Sequence, residues 1–138
     1  MSNALYDKGR EGFLDGTIDY DTNTIKANLV DKDKYTYSAA HQFLTSVGSS
    51  ARAGTATTLT SKTVTSGVAG AANSTFVSVT AGTTVGAVIL FKDTGSSGTS
   101  NLICYIDQTS TGGTFSVIPS GGNIIVNWST GANKIFKL

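Results

Sequence analysis

The chain has 138 residues and a formal net charge of +1, and only 14% of its residues are charged. A chain of this length can bury a core without disulfide bonds, and its single cysteine, Cys104, excludes internal ones. The low charge disfavours an electrostatic nucleic-acid surface, and no apolar window is long enough for a membrane span. The 21 threonines, 16 serines and 16 glycines favour strands and turns, so the composition predicts a mainly β protein.

The first 15 residues are predicted to form a helix or an arm. The helix would run from Ala4 to about Leu14, with Ser2 or Asn3 as its N-cap. Gly9 and Gly12 weaken it by roughly 1 kcal/mol each relative to alanine, so it needs a surface to lie on. That surface is either the chain's own domain or a partner, and we favour a partner. Its candidate assembly contacts are Leu5, Tyr6, Arg10, Phe13 and Leu14.

One strand and one further helix are predicted before residue 55. Apolar and polar side chains alternate over Asp21–Asp31, which indicates a half-buried strand. Ser38 has the character of an N-cap and Gly48 that of a residue just after a helix, with apolar side chains at helical spacing between them. Ser49–Gly54 is predicted to be a loop.

The most apolar run of the chain, Val85–Phe91, predicts a central strand because the side chains on both of its faces are apolar. A loop rich in glycine, serine and threonine joins it to a second apolar strand, Asn101–Asp107, and the two form a long-looped hairpin. The side chains predicted to be largely buried in this hairpin are Ala87, Ile89, Phe91, Leu102, Cys104 and Ile106.

Short β-like segments separated by turn residues surround the hairpin. They are Thr57–Thr65, Thr75–Thr80, Thr114–Ile118, Asn123–Trp128 and Ile135–Leu138, with Gly67–Gly70 as one of the turns. This pattern predicts a single domain over residues 1–138, with a helix or arm at 1–15 and a β-sandwich or jelly-roll-like fold at 16–138. One or two short helices would lie in the N-terminal third.

No combination of residues in the chain indicates catalysis or metal binding. His41 is the only histidine, so we interpret it as a structural or surface residue. The run from Asp19 to Asn23 matches the start of a calcium loop, but Thr24 replaces the required glycine and Val30 replaces the final glutamate. A turn that caps its own backbone explains this run better. We therefore expect neither an enzyme nor a bound cofactor.

Several stretches of the chain carry a resemblance to a known family. They are NALYDKGREGFLDG at residues 3–16, KDTG at 92–95, GGNI at 121–124 and GANKIFKL at 131–138. With these stretches the chain resembles, over its whole length, a family of small virion proteins of tailed bacteriophages. The members with an assigned role are mostly capsid decoration, or cement, proteins, several of which are small β-sandwiches or jelly rolls.

The resemblance implies a homo-oligomer, a dimer or trimer, that binds the major capsid protein on the exterior of the virion and stabilises the head. Such a protein would be made in the host cytoplasm, and it would have no catalytic residue and no nucleic-acid, membrane or small-molecule substrate partner. The alternative is a tail or receptor-binding module that recognises a cell-surface ligand. Solvent-facing aromatic side chains at Tyr35, Tyr37 and Trp128 would favour that alternative.

Overall fold

The computed structural model describes residues 3–138 and is mainly β, with 35% of the residues in strands and 11% helical, as predicted. The strands and the one α-helix are β1 (Ala4–Leu5), α1 (Asp7–Asp15), β2 (Ile25–Asp31), β3 (Arg52–Thr58), β4 (Thr63–Thr65), β5 (Val68–Gly70), β6 (Ser74–Phe76), β7 (Val85–Lys92), β8 (Asn101–Ile106), β9 (Ile124–Val126) and β10 (Phe136–Lys137). None of the helices in the described part of the chain has the length and apolar character needed to cross a membrane.

Five strands form the main sheet, in the order β1-β8-β7-β2-β3, and every neighbouring pair is antiparallel. Strand β7 lies in the middle of this sheet and pairs with β8, for example through Leu90 opposite Cys104. The prediction of a central apolar hairpin is therefore confirmed. Its sequence predicts this environment, because a strand with two apolar faces must be covered on both of them.

The two faces of β7 contribute to two separate core clusters. Ala87, Ile89 and Phe91 belong to one cluster, whereas Val88 and Leu90 belong to the other. The face with Val88 and Leu90 packs against two small sheets, β10-β5-β4 and β6-β9, which form a second β layer. The opposite face is covered by the N-terminal segment and by the connection between β2 and β3. Five of the six hairpin side chains predicted to be buried are at most 2% exposed, and Ile106 is half-buried.

A bulge in β7 changes the face on which Val85 lies. The sequence places Val85 on the same face as Ala87, but the structure places it in the cluster of Val88. Val30 pairs with Ala87 and the next residue of β2 pairs with Val85, so Gly86 has no partner in the register. A Cβ at Gly86 would overlap the Lys32 side chain, and glycine within a strand often marks a bulge or a close approach of this kind.

The N-terminal helix begins at Asp7, three residues later than predicted, because Ala4–Leu5 forms strand β1 against β8. Asn3 does not cap the helix. Its side-chain oxygen instead accepts hydrogen bonds from two backbone amides just after β8, at 2.9 Å each. The other predicted cap, Ser2, lies outside the described residues.

The helix predicted after Ser38 does not form, and only a 3₁₀ turn at Leu44–Ser46 occurs there. The segment runs beside β8 instead: the Leu102 amide donates to the Gln42 carbonyl at 2.8 Å, and the Leu44 amide donates to the Ser100 carbonyl at 2.9 Å. These contacts with a distant part of the chain replace the i to i−4 bonds that a helix would need. Apolar spacing alone cannot reveal such a partner.

Three further boundaries differ from prediction. Strand β3 begins at Arg52, inside the predicted loop, where it pairs with β2, a partner distant in the sequence. Val68–Gly70, predicted as a turn, is strand β5, which pairs with β4 across a two-residue turn and with the distant β10. Thr114–Ile118 contains no strand and contributes only two isolated bridges, one of them between Val117 and Val85.

Candidate interaction surface

Two of the five candidate assembly contacts lie in the chain's own core. Leu5 is 8% exposed and Tyr6 is fully buried. The Tyr6 amide donates a hydrogen bond of 3.0 Å to the Ile103 carbonyl, which continues the pairing of β1 with β8. The surface on which this part of the N-terminal segment lies is therefore its own main sheet, and Leu5 and Tyr6 are not offered to a partner.

The two helix glycines allow α1 to lie close to its surroundings. A Cβ at Gly9 would be 2.8 Å from the Ile103 carbonyl oxygen and 2.9 Å from that of Leu102. A Cβ at Gly12 would be 2.6 Å from the Ile18 side chain. Both distances are shorter than ordinary contact, so glycine is needed for this approach rather than for a special backbone angle. The residues that weaken the isolated helix are those that let it pack.

A chain of hydrogen bonds runs from the buried N-terminal segment towards the surface. The hydroxyls of Tyr6 and Tyr35 are 2.9 Å apart, and the Tyr35 hydroxyl is 2.8 Å from Nδ1 of His41. Burial raises the pKa of Tyr6 well above its ordinary value, with a further contribution from the bond to Tyr35. His41 thus has a structural contact, which agrees with its interpretation as a structural residue.

The aromatic side chains that would favour ligand recognition are not presented to solvent. Tyr35 is 7% exposed and Trp128 is 8% exposed. Trp128 donates from Nε1 to the Ser74 hydroxyl at 3.1 Å. Tyr37 is half-buried, and its hydroxyl donates to the Leu5 carbonyl at 3.0 Å. The condition that would favour the alternative is therefore not met at Tyr35 and Trp128, and Tyr37 is occupied by its contact with β1.

The three remaining candidates differ in exposure along α1. Arg10 is exposed and lies 3.6 Å from the Asp7 carboxylate. Phe13 is half-buried, with its ring centre 5.7 Å from that of Phe136. Leu14 is 88% exposed, which makes it the most exposed large apolar side chain described. Leu14 is therefore the candidate contact that the fold leaves without a partner of its own.

A pit of about 380 Å³ lies where α1 meets the small sheet β10-β5-β4. Phe13 and Phe136 line the pit, together with Val64 and Leu138, which are 55% and 59% exposed. We call these four side chains the apolar patch; Leu14 follows Phe13 in the sequence but does not line the pit. An apolar cluster open to solvent is typical of an interaction site.

Sequence reasoning missed Val64 because it missed the β4-β5 hairpin. Its two-residue turn has left-handed angles at both positions, with φ 53° at Ser66 and 77° at Gly67, as a type I′ turn requires. Val64 pairs with Ala69, and Ala69 pairs with Phe136. The Ser-Gly dipeptide between two short threonine- and valine-containing segments was the signal that could have found this hairpin.

The Asp19–Asn23 run is a self-capping turn, as predicted. One Asp19 carboxylate oxygen accepts from the Asp21 amide at 3.1 Å and from the Thr22 amide at 3.2 Å. The bond from Thr22 lowers the pKa of Asp19. The Asn23 side chain in turn accepts from the Asp19 amide at 2.7 Å. Within residues 3–138 no three His, Cys, Asp or Glu side chains are grouped as metal ligands.

Comparisons with known proteins assign the chain to no family: no family model matches it, and no curated protein matches it.

Proposed function

We propose that the chain is a structural protein of a bacteriophage virion that binds the outer surface of the capsid and stabilises the head as a dimer or trimer. Its resemblance to small virion proteins supports this function, and the apolar patch is the structural observation that carries it. The patch offers Val64 and Leu138 to a partner, and both of them are more than half exposed. Covering water-exposed apolar surface of this kind with another protein lowers the free energy and so favours binding.

The chemistry of the surface supports the same role. Threonine, serine and glycine are abundant, and few residues carry a long charged side chain. Ordering such a surface against a partner loses little side-chain entropy, because short side chains have few rotamers to lose. A protein that must remain bound to a shell gains from this property.

The alternative role, recognition of a cell-surface ligand, has less support. Aromatic rings that stack on a ligand must be accessible, but Tyr35 and Trp128 are buried and Tyr37 bonds to the backbone of β1. Localising the protein in intact particles distinguishes a head protein from a tail protein directly. Density or a label on the outside of the head is the expected result, and a tail location would refute the proposal.

Particles made without the protein test the stabilising role. They should lose their genome at a lower temperature, or after a milder salt shock, than particles that carry it. Adding the purified protein back should restore the difference. Equal robustness of the two kinds of particle would refute the stabilising role.

A pair of matched variants tests the apolar patch. Val64→Asp places a charge on the patch and should abolish binding to particles that lack the protein, because the buried carboxylate would have no partner. Val77→Asp is the control, since Val77 is 66% exposed and, unlike Val64, does not line the pit. Both proteins should melt at the wild-type temperature. Normal capsid binding by the Val64 variant would exclude the patch as the contact.

A further inference from the structure

A cleft of about 930 Å³ lies between the main sheet and the C-terminal segment. Its floor includes Leu29, Val88 and Cys104 of β2, β7 and β8, but each is at most 2% exposed, so the accessible lining lies around them. The opposite wall comes from residues 124–137, which include β9 and β10. Its volume is in the range of roughly 300–1,000 Å³ that is usual for small-molecule sites.

The lining of the cleft is largely apolar. Besides the floor, it includes side chains that the core buries only partly: Ile106, Phe115, Ile124, Val126 and Ile135. Interiors of folded proteins are normally packed to the density of organic crystals, and an apolar cavity is a poor site for water. The partly buried side chains therefore offer apolar surface that the chain's own packing leaves uncovered.

Among the described residues, the charged side chains that line the cleft are all of one sign. Its lining includes Arg10, Lys134 and Lys137 but no aspartate and no glutamate. Arg10 is 3.6 Å from Asp7, whereas Lys134 and Lys137 make no ion pair with another residue in the described range 3–138. All three are exposed, so the positive charge lies at the mouth of the cleft and not on its floor.

We propose that this cleft binds a long-chain apolar molecule with an anionic head group, such as a long-chain carboxylate. The alkyl tail lies against the partly buried side chains of Ile106, Phe115 and Ile135, and the head group lies near Lys134 and Lys137. Apolar contact supplies most of the affinity, and the lysines select an anion over a cation of the same length. This site is independent of the apolar patch and does not rest on the proposed virion role.

The chain contains its own reporter for binding. Trp128 is the only tryptophan and lines the cleft, so its fluorescence reports on ligand that enters. We would titrate the full chain with laurate and with dodecyltrimethylammonium, both below their micelle concentrations. Saturable binding of laurate is expected, at least about tenfold tighter than binding of the cation, which corresponds to about 1.4 kcal/mol.

Charge variants test the selection of the head group. Replacing both Lys134 and Lys137 by glutamate should weaken laurate binding by about tenfold or more and should remove the preference over the cation. The matched control replaces Lys8 and Lys34 by glutamate, which gives the same change of net charge at two exposed lysines that do not line the cleft. That control should bind laurate within about twofold of wild type, since distant surface charges are screened.

Variants that fill the cleft test the position of the tail. Ile106→Phe narrows the cleft from the main sheet, and Ala132→Phe narrows it from the opposite wall. Calorimetry should show loss of laurate binding in each variant that keeps the wild-type melting temperature. Ala132 is exposed, so its variant is expected to fold even if the Ile106 variant does not.

Three results would overturn the proposal. The first is absence of saturable laurate binding to the wild-type chain, and the second is equal affinity for the anion and the cation. The third is sedimentation of the free chain as an oligomer that the cleft-filling variants dissociate, because a second copy would then occupy the cleft.

Discussion

A methyl group added at Gly9 tests how closely α1 lies on the main sheet. In an isolated helix, Gly9→Ala would stabilise the helix by about 1 kcal/mol, because alanine has the higher helix propensity. In this fold the new Cβ would be 2.8 Å from the Ile103 carbonyl oxygen and 2.9 Å from the Leu102 carbonyl oxygen. Both are backbone atoms of β8, so neither can rotate away, and the helix or the strand must shift.

The cost of that shift exceeds the gain in propensity. Overpacking a tight contact typically costs about 1–3 kcal/mol, and two rigid neighbours place this site in the upper part of that range. After subtraction of the propensity gain, we expect Gly9→Ala to lower the free energy of unfolding by about 1–2 kcal/mol. For a domain of this size each kcal/mol corresponds to about 3–4 °C, so the melting temperature should fall by about 3–8 °C.

Gly12→Ala is the matched control for thermal melting followed by circular dichroism. It brings the same propensity gain in the same helix, but its Cβ would meet the buried Ile18 side chain at 2.6 Å, and a side chain can change its rotamer whereas the backbone carbonyls of β8 cannot. Its melting temperature should therefore fall less than that of Gly9→Ala. The reasoning is refuted if Gly9→Ala is as stable as wild type or more stable than Gly12→Ala, because the helix would then lie farther from β8.

Three other measurements probe the same core. Phe91→Ala should lower the free energy of unfolding by about 3–5 kcal/mol in a denaturant titration, since Phe91 is 2% exposed, and an unchanged midpoint would contradict its place in the core. Deleting residues 1–15 should abolish the cooperative melting transition, because Leu5 and Tyr6 are core residues. A truncated chain that still melts cooperatively would contradict this prediction, since it would show that residues 16–138 fold alone. Burial raises the pKa of the Cys104 thiol from 9.0 to about 12, so the unfolded chain loses the thiol proton at a lower pH than the folded chain does. The free energy of unfolding should therefore fall as the pH rises from 9 to 12. Over that interval Cys104→Ala should lose less stability with pH than wild type, and parallel pH profiles would contradict the assignment.

Local sequence determined the elements that carry the apolar runs. Val85–Phe91 is apolar on both faces, and it lies at the centre of the main sheet. Asn101–Asp107 is the next apolar run along the chain, and it pairs beside it as β8. In Ile25–Asp31 the alternation placed Ile25, Ala27 and Leu29 in the same cluster, as expected for a strand of period two. The prediction that this strand is half-buried is wrong, because Asn28 on its other face is 3% exposed. In each case the hydrophobic pattern and the tertiary partner favour the same structure.

Tertiary contacts determined the segments in which the local pattern is weak or ambiguous. The apolar spacing between Ser38 and Gly48 suits a helix, but its backbone bonds to β8 instead. Ala4–Leu5 has helical spacing with the residues that follow it and nevertheless forms a strand against β8. Both segments complete the pairing of strands that are distant in sequence, and a pattern within one segment carries no information about such partners.

The candidate surface shows the same division. The sequence by itself identified Leu14 as an apolar residue in a helix weakened by two glycines, and it remained exposed. It could not distinguish Leu14 from Leu5 and Tyr6, because burial depends on the strand that the N-terminal segment meets. The exposure of Val64 depends on the β4-β5 hairpin, in which it pairs with Ala69. The residue types were set by the sequence, and their exposure was decided by packing between distant segments.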